Sequence, residues 1–125
     1  MEITHLHVEA STHCNARCPG CPRSIRGYSP EGFLNLTHLT PEKFMTVRKK
    51  YEALMTVNFN GNLGDPMLKP RISELIEIAD CDVAVTTNGS IGNRKTFERL
   101  AVDGVHINFS IDGLEDTNHL YRQDV

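Results

Sequence analysis

The 125-residue chain alternates short strand-like stretches with helix-like ones, and this order constrains its fold more than any other feature. Residues 4–10 alternate apolar and polar side chains as a strand does. A loop rich in Cys, Gly, Pro and Ser runs on to about residue 39. Thr40 then reads as a helix N-cap with Pro41 at the first helical position. Phe44, Val47, Tyr51 and Leu54 follow at helical spacing and predict a helix over 41–55. Further strands are predicted over 56–60, 82–87 and 105–111, ended by Gly61, Asn88-Gly89 and Asp112-Gly113. Helices are predicted over 71–79, with Ile72, Leu75, Ile76 and Ala79 on one face, and over 93–102. In the latter Asn93 caps the helix and Phe97, Leu100 and Ala101 point inward. The helices have ordinary crossover length, so the order predicts an α/β fold with a parallel sheet and right-handed crossovers.

Side chains alternate across a strand, so each strand presents two faces. Leu6, Val8 and Ala10 oppose His7, Glu9 and Ser11; Val57 and Phe59 oppose Asn58 and Asn60. Val83 and Val85 oppose Asp82, Ala84, Thr86 and Asn88. Val105, Ile107, Phe109 and Ile111 oppose His106, Asn108, Ser110 and Asp112. A parallel sheet covered on both sides is usually apolar on both. Here helices cover one face and the other lines a polar cavity, as in a curved sheet. Burying so many polar groups unpartnered is costly, so ligand or water should fill that space. Glu9 is placed on this inner face, near the cysteine loop, as a candidate contact.

Composition narrows the function classes. Net charge is −3 without a basic stripe, which gives nucleic-acid binding no electrostatic support. The Arg48-Lys49-Lys50 run reads as a solvated helix face. No run of about 18 apolar residues is present, so no membrane helix is expected. Residues 1–7 lack the basic and apolar regions of a signal peptide. A cytoplasmic location is therefore expected, where thiols stay reduced and clustered cysteines hold metal or do redox chemistry.

Three of the four cysteines form the run Cys14-Asn15-Ala16-Arg17-Cys18-Pro19-Gly20-Cys21, just past the first strand. Thiolates are soft ligands that suit an iron–sulfur cluster or zinc. Three on one short loop can hold three corners of a cubane and leave the fourth iron open to a small molecule. Pro19 and Gly20 help the loop fold back. Zinc would want a fourth ligand, usually from a second knuckle, and the chain has none. His13 is the neighbour of Cys14 and would reach a shared ion with difficulty. Cys81, at a strand start, reads as a small buried hydrophobe. The iron–sulfur reading is favoured, with Cys14, Cys18 and Cys21 as ligands. A zinc-binding interaction module and an iron–sulfur module without turnover are the alternatives.

C-x3-C-x2-C after a first strand resembles the defining motif of the radical S-adenosylmethionine (radical SAM) family. Further segments match in order. Gly61-Asn62-Leu63-Gly64-Asp65-Pro66 resembles the family's glycine-rich segment, and Thr87-Asn88-Gly89 its Thr-Asn-Gly. Ser110-Ile111-Asp112-Gly113 resembles its Ser-Ile-Asp-Gly, and His119 to Arg122, one residue shorter, resembles the H-x-x-x-R region that often follows. Pro22-Arg23 resembles members that modify peptides or mature cofactors.

The resemblance implies a partial (β/α) barrel of about four parallel strands with helices outside, over residues 1–125, lacking the last β/α units. It implies a [4Fe-4S] cluster and S-adenosylmethionine as cofactors, with the cluster on Cys14, Cys18 and Cys21. Gly61, Asn62, Gly64 and Asp65 match the segment that receives the methionine amino group. Glycines let the backbone approach, and carbonyls plus Asp65 accept from the ammonium. Ser110 and Asp112 match positions that bind ribose or carboxylate, and Asn88 lines the cavity. It implies reductive cleavage to a 5′-deoxyadenosyl radical that takes hydrogen from a substrate, with a peptide as one candidate. An external electron donor such as a flavodoxin or ferredoxin follows, as does a missing C-terminal half or partner chain beside an unpaired fourth strand. The family often has an aromatic residue before the third cysteine; Gly20 stands there instead. No catalytic residue is assigned.

Overall fold

Four parallel strands form one sheet in the order β1-β2-β3-β4: His5–Val8, Thr56–Phe59, Asp82–Thr87 and His106–Phe109. The computed structural model describes residues 2–23 and 34–125. Three helices connect the strands: α1 (Pro41–Lys50), α2 (Ile72–Ala79) and α3 (Arg94–Val102). A one-turn helix, α4 (Asn118–Tyr121), follows β4. The alternation of elements and the parallel pairing agree with the sequence expectation. The expected loop to residue 39 lies outside the described residues over 24–33.

The helix caps agree as well. Thr40 accepts the Lys43 N–H at 3.3 Å, with Pro41 opening α1. Asn93 and Thr96 form a reciprocal capping box on α3. Bounds differ where tertiary contacts intervene. The first helix stops at Lys50, not residue 55, because Arg48 turns back to bond carbonyls of Tyr51 at 3.1 Å and Ala79 at 2.6 Å. Arg48 is thus a half-buried staple between the ends of α1 and α2, not part of a solvated face. Leu54 enters the core from the turn that follows. The first strand ends at Val8, not Ala10, because the chain there changes partners. The Ala10 carbonyl accepts the Leu39 N–H at 3.0 Å, and Ser11 bridges antiparallel to His38. Ala101 is exposed, not inward, and Leu100 carries the buried face of α3.

The core lies between the sheet and α1, α2 and α3. Phe44 meets Phe59 edge to face at 5.5 Å between ring centres, beside Val57, Leu75, Val83 and Val85. The opposite face is polar, as expected. Its register sets His7 beside Asn58, Asn58 beside Ala84, and Ala84 beside His106. Thr87 departs from this scheme: it shares the apolar face with Val83 and Val85, is fully buried, and keeps its hydroxyl for a partner described below. Beyond β4 the apolar side chains thin out, and Phe109 and Ile111 are 49% and 70% exposed along the open strand edge.

Candidate cofactor site

The C-terminal ends of the strands and the cysteine loop enclose an open pocket of about 180 Å³, far more than one buried water occupies. Cys14, Cys18 and Cys21 line it together with Gly61, Asn62, Gly64, Asp65, Asn88 and Ser110. The fold therefore brings together the site residues expected from the sequence except Asp112 and Glu9, the latter bracing the glycine loop from outside the pocket lining. Asp112 is exposed, receives a hydrogen bond from Arg122, and donates its N–H to the Asn118 side chain at 2.9 Å.

The cysteine loop is held from within. Cys18 is buried, and its carbonyl accepts the Cys21 N–H at 3.1 Å. Arg23, also buried, donates to three carbonyls: Leu63 at 3.1 Å, Cys14 at 3.1 Å and Thr12 at 3.0 Å. One guanidinium thereby ties the cysteine loop to the glycine loop after β2. All three thiols are free of disulfides. Burial pushes the Cys14 thiol above its ordinary value, opposed by the Ala16 backbone and assisted by nearby Asp65. Two N–H donors aim at sulfur: Asn88 Nδ2 at Cys14 and Arg122 Nη1 at Cys18, each 3.9 Å away.

The glycine loop is shaped by close backbone approach. A Cβ on Gly61 would meet the Gly64 carbonyl oxygen at 1.5 Å, and one on Gly64 would meet the Ser11 carbonyl oxygen at 2.0 Å. Only glycine fits at either position. Glu9 braces this loop, its carboxylate accepting the N–H groups of Asn62 at 2.7 Å and Leu63 at 3.3 Å. Asp65 is buried and its carboxylate is spent internally. It accepts from the Met67 N–H at 2.9 Å, the Thr87 hydroxyl at 2.8 Å and the Asn88 N–H at 2.8 Å. It thereby caps the short 3-10 turn Pro66–Leu68 and links the ends of β2 and β3.

Arg23, Arg122, Thr87 and Tyr121 also line the pocket, and sequence reasoning did not single them out as site residues. Tyr121 carried no signal of its own. A Cβ on Gly20 would lie 3.1 Å from the Tyr121 hydroxyl, so the glycine makes room for a ring supplied from α4. Behind the loop, His13 and His38 stack at 4.4 Å, and His38 Nδ1 lies 3.0 Å from the buried Ser11 hydroxyl.

No family model matches the chain. Among curated proteins it is similar to GTP 3',8-cyclase of Staphylococcus epidermidis, 30% identical over 125 residues, and of Rippkaea orientalis, 28% identical over 118 residues. These alignments cover 91% and 90% of this chain and 35% of each relative, so the chain spans about a third of the curated relatives it matches. Among solved structures it resembles native anSMEcpe with bound AdoMet, with a TM-score of 0.73 and 19% identity over 97% of this chain and 36% of that one. The same enzyme with AdoMet and the Cp18Cys peptide gives 0.73 and 21% over 97% and 34%. These likenesses agree with the resemblance of the cysteine, glycine-loop and Thr-Asn-Gly segments to the radical SAM superfamily. The sheet is that superfamily's α/β partial-barrel type. No helix among the described residues is long and apolar enough to cross a membrane.

Proposed function

We propose that residues 1–125 form a radical SAM core portion that binds a [4Fe-4S] cluster through Cys14, Cys18 and Cys21, with S-adenosylmethionine beside it. The observation that carries this reading is the shared pocket. Three soft ligands face the same space as a loop whose Gly61 and Gly64 present backbone without a side chain. The donor set fits the cluster, because three free thiols line one wall and N–H donors already aim at two of them. When bound, the cluster supplies the electron that cleaves the sulfonium to methionine and a 5′-deoxyadenosyl radical.

The chain's own residues bind and orient. The carbonyls of Gly61–Gly64 accept the methionine ammonium, held in shape by Glu9 and Arg23. Asp65 acts through the framework, because its oxygens are taken by three protein donors. Asn88 and Ser110 line the nucleoside side of the pocket. An external one-electron donor such as a flavodoxin or ferredoxin completes the cycle, in the cytoplasm. The curated relatives are named for GTP and one structural neighbour holds a peptide, so nucleotide and peptide are the substrate classes to assay first.

Anaerobic reconstitution with iron and sulfide tests the proposal. A brown protein with about four irons per chain is expected. Cys18→Ala should lose the colour, and S-adenosylmethionine with dithionite should yield 5′-deoxyadenosine. A colourless protein that takes up zinc instead would overturn the reading.

A further inference from the structure

Arg122 is the one cation whose side chain reaches a cysteine sulfur among the described residues, and it is fixed there from three sides. Its Nε donates to the Asp112 carboxylate, and its guanidinium carbon lies 5.6 Å from the centre of the Tyr121 ring. Its backbone N–H closes α4 on the Asn118 carbonyl at 2.8 Å. The Asp112 backbone N–H is anchored on the Asn118 side chain at 2.9 Å, which fixes the chain segment that carries this carboxylate, itself 40% exposed. The Arg122 side chain is 21% exposed, and Cys18 beneath it is 4% exposed. A charge in such a place is weakly screened. Arg17 offers a contrast on the same loop. It pairs with Asp124 at 3.2 Å, its side chain is 75% exposed, and it points at no sulfur.

Reduction adds negative charge to an iron–sulfur cluster and its ligand sulfurs. A cation and an N–H donor on a ligand sulfur favour the reduced form and raise the potential. We propose that Arg122 tunes the reduction potential of a cluster held at Cys14, Cys18 and Cys21, by donating to the Cys18 sulfur while Asp112 holds the guanidinium in place. The inference rests on the cluster reading given above. Arg122 is a positioning residue in this scheme, acting through Cys18.

The test is an EPR-monitored redox titration of the reconstituted full chain. Arg122→Gln should titrate at a more negative potential than the wild type. Arg122→Lys, which keeps the charge and loses the planar fork, should shift the same way by less. Arg17→Gln should titrate with the wild type. If Arg122→Gln does not load, the Lys variant decides. Wild-type potential in the Arg122 variants that load, or an equal shift in Arg17→Gln, would overturn the proposal while leaving the cluster site standing. Failure of the wild type to take up iron and sulfide would sink the cluster reading and this inference together.

Discussion

Asp65→Ala would strand three donors at once: the N–H groups of Met67 and Asn88 and the Thr87 hydroxyl. Thr87 is buried and cannot turn to water for a substitute. The expected loss is about 3 kcal/mol of unfolding free energy, read as a lower urea midpoint with the slope unchanged. Asp65→Asn should also cost stability, because its amide would set a donor where only acceptors fit. Cys14 belongs to the same scale. Burial raises its thiol above the ordinary value, so it holds its proton longer as pH rises. A metal must displace that proton, and loading is therefore favoured by higher pH. Iron uptake should be faster at pH 8.5 than at pH 7, measured by the rise of cluster absorption under anaerobic conditions. A rate flat across this range would show that Cys14 deprotonation does not limit loading.

At the level of elements, the two glycine positions predict opposite outcomes. Gly64→Ala sets a Cβ against backbone of Ser11 and His13, which side-chain rotation cannot relieve. It should cost about 2 kcal/mol or more and weaken S-adenosylmethionine binding in equilibrium dialysis. Gly20→Ala meets only the tip of the Tyr121 ring and should stay within about 0.5 kcal/mol of the wild type. The alternation of elements, the caps at Thr40 and Asn93 and the bounds of β3 were legible in the chain because each is a local signal. The cysteine spacing was legible for the same reason. The end of α1 was not, because it depends on Arg48 reaching a carbonyl 31 residues away. The work of Asp65 was hidden likewise, since its partner Thr87 lies 22 positions on and meets it only once β2 and β3 pair. Glu9 was placed near the site, but its bond to Asn62 spans 53 positions and leaves no local trace.

Across the whole molecule, exposed apolar surface gathers after the third helix. Phe109, Ile111, Leu114 and Leu120 are 49%, 70%, 78% and 65% exposed, beside a strand edge with unpaired backbone groups. The 125-residue chain should scatter light increasingly with concentration, and Ile111→Lys should reduce that scattering without lowering helix content by circular dichroism. Unchanged scattering in the variant would place the sticky surface elsewhere. The segment Tyr121–Asp124 also fastens onto the loop near the start of the chain. The Gln123 carbonyl accepts the Arg17 N–H at 3.0 Å, and the Asp124 carbonyl accepts from the Asn15 side chain at 3.2 Å. A ribosome delivers these two stretches in a fixed order, the cysteines about 100 residues ahead of their clasp. During synthesis the thiols therefore emerge with their outer wall absent, and that wall is in place only after Asp124 has cleared the exit tunnel.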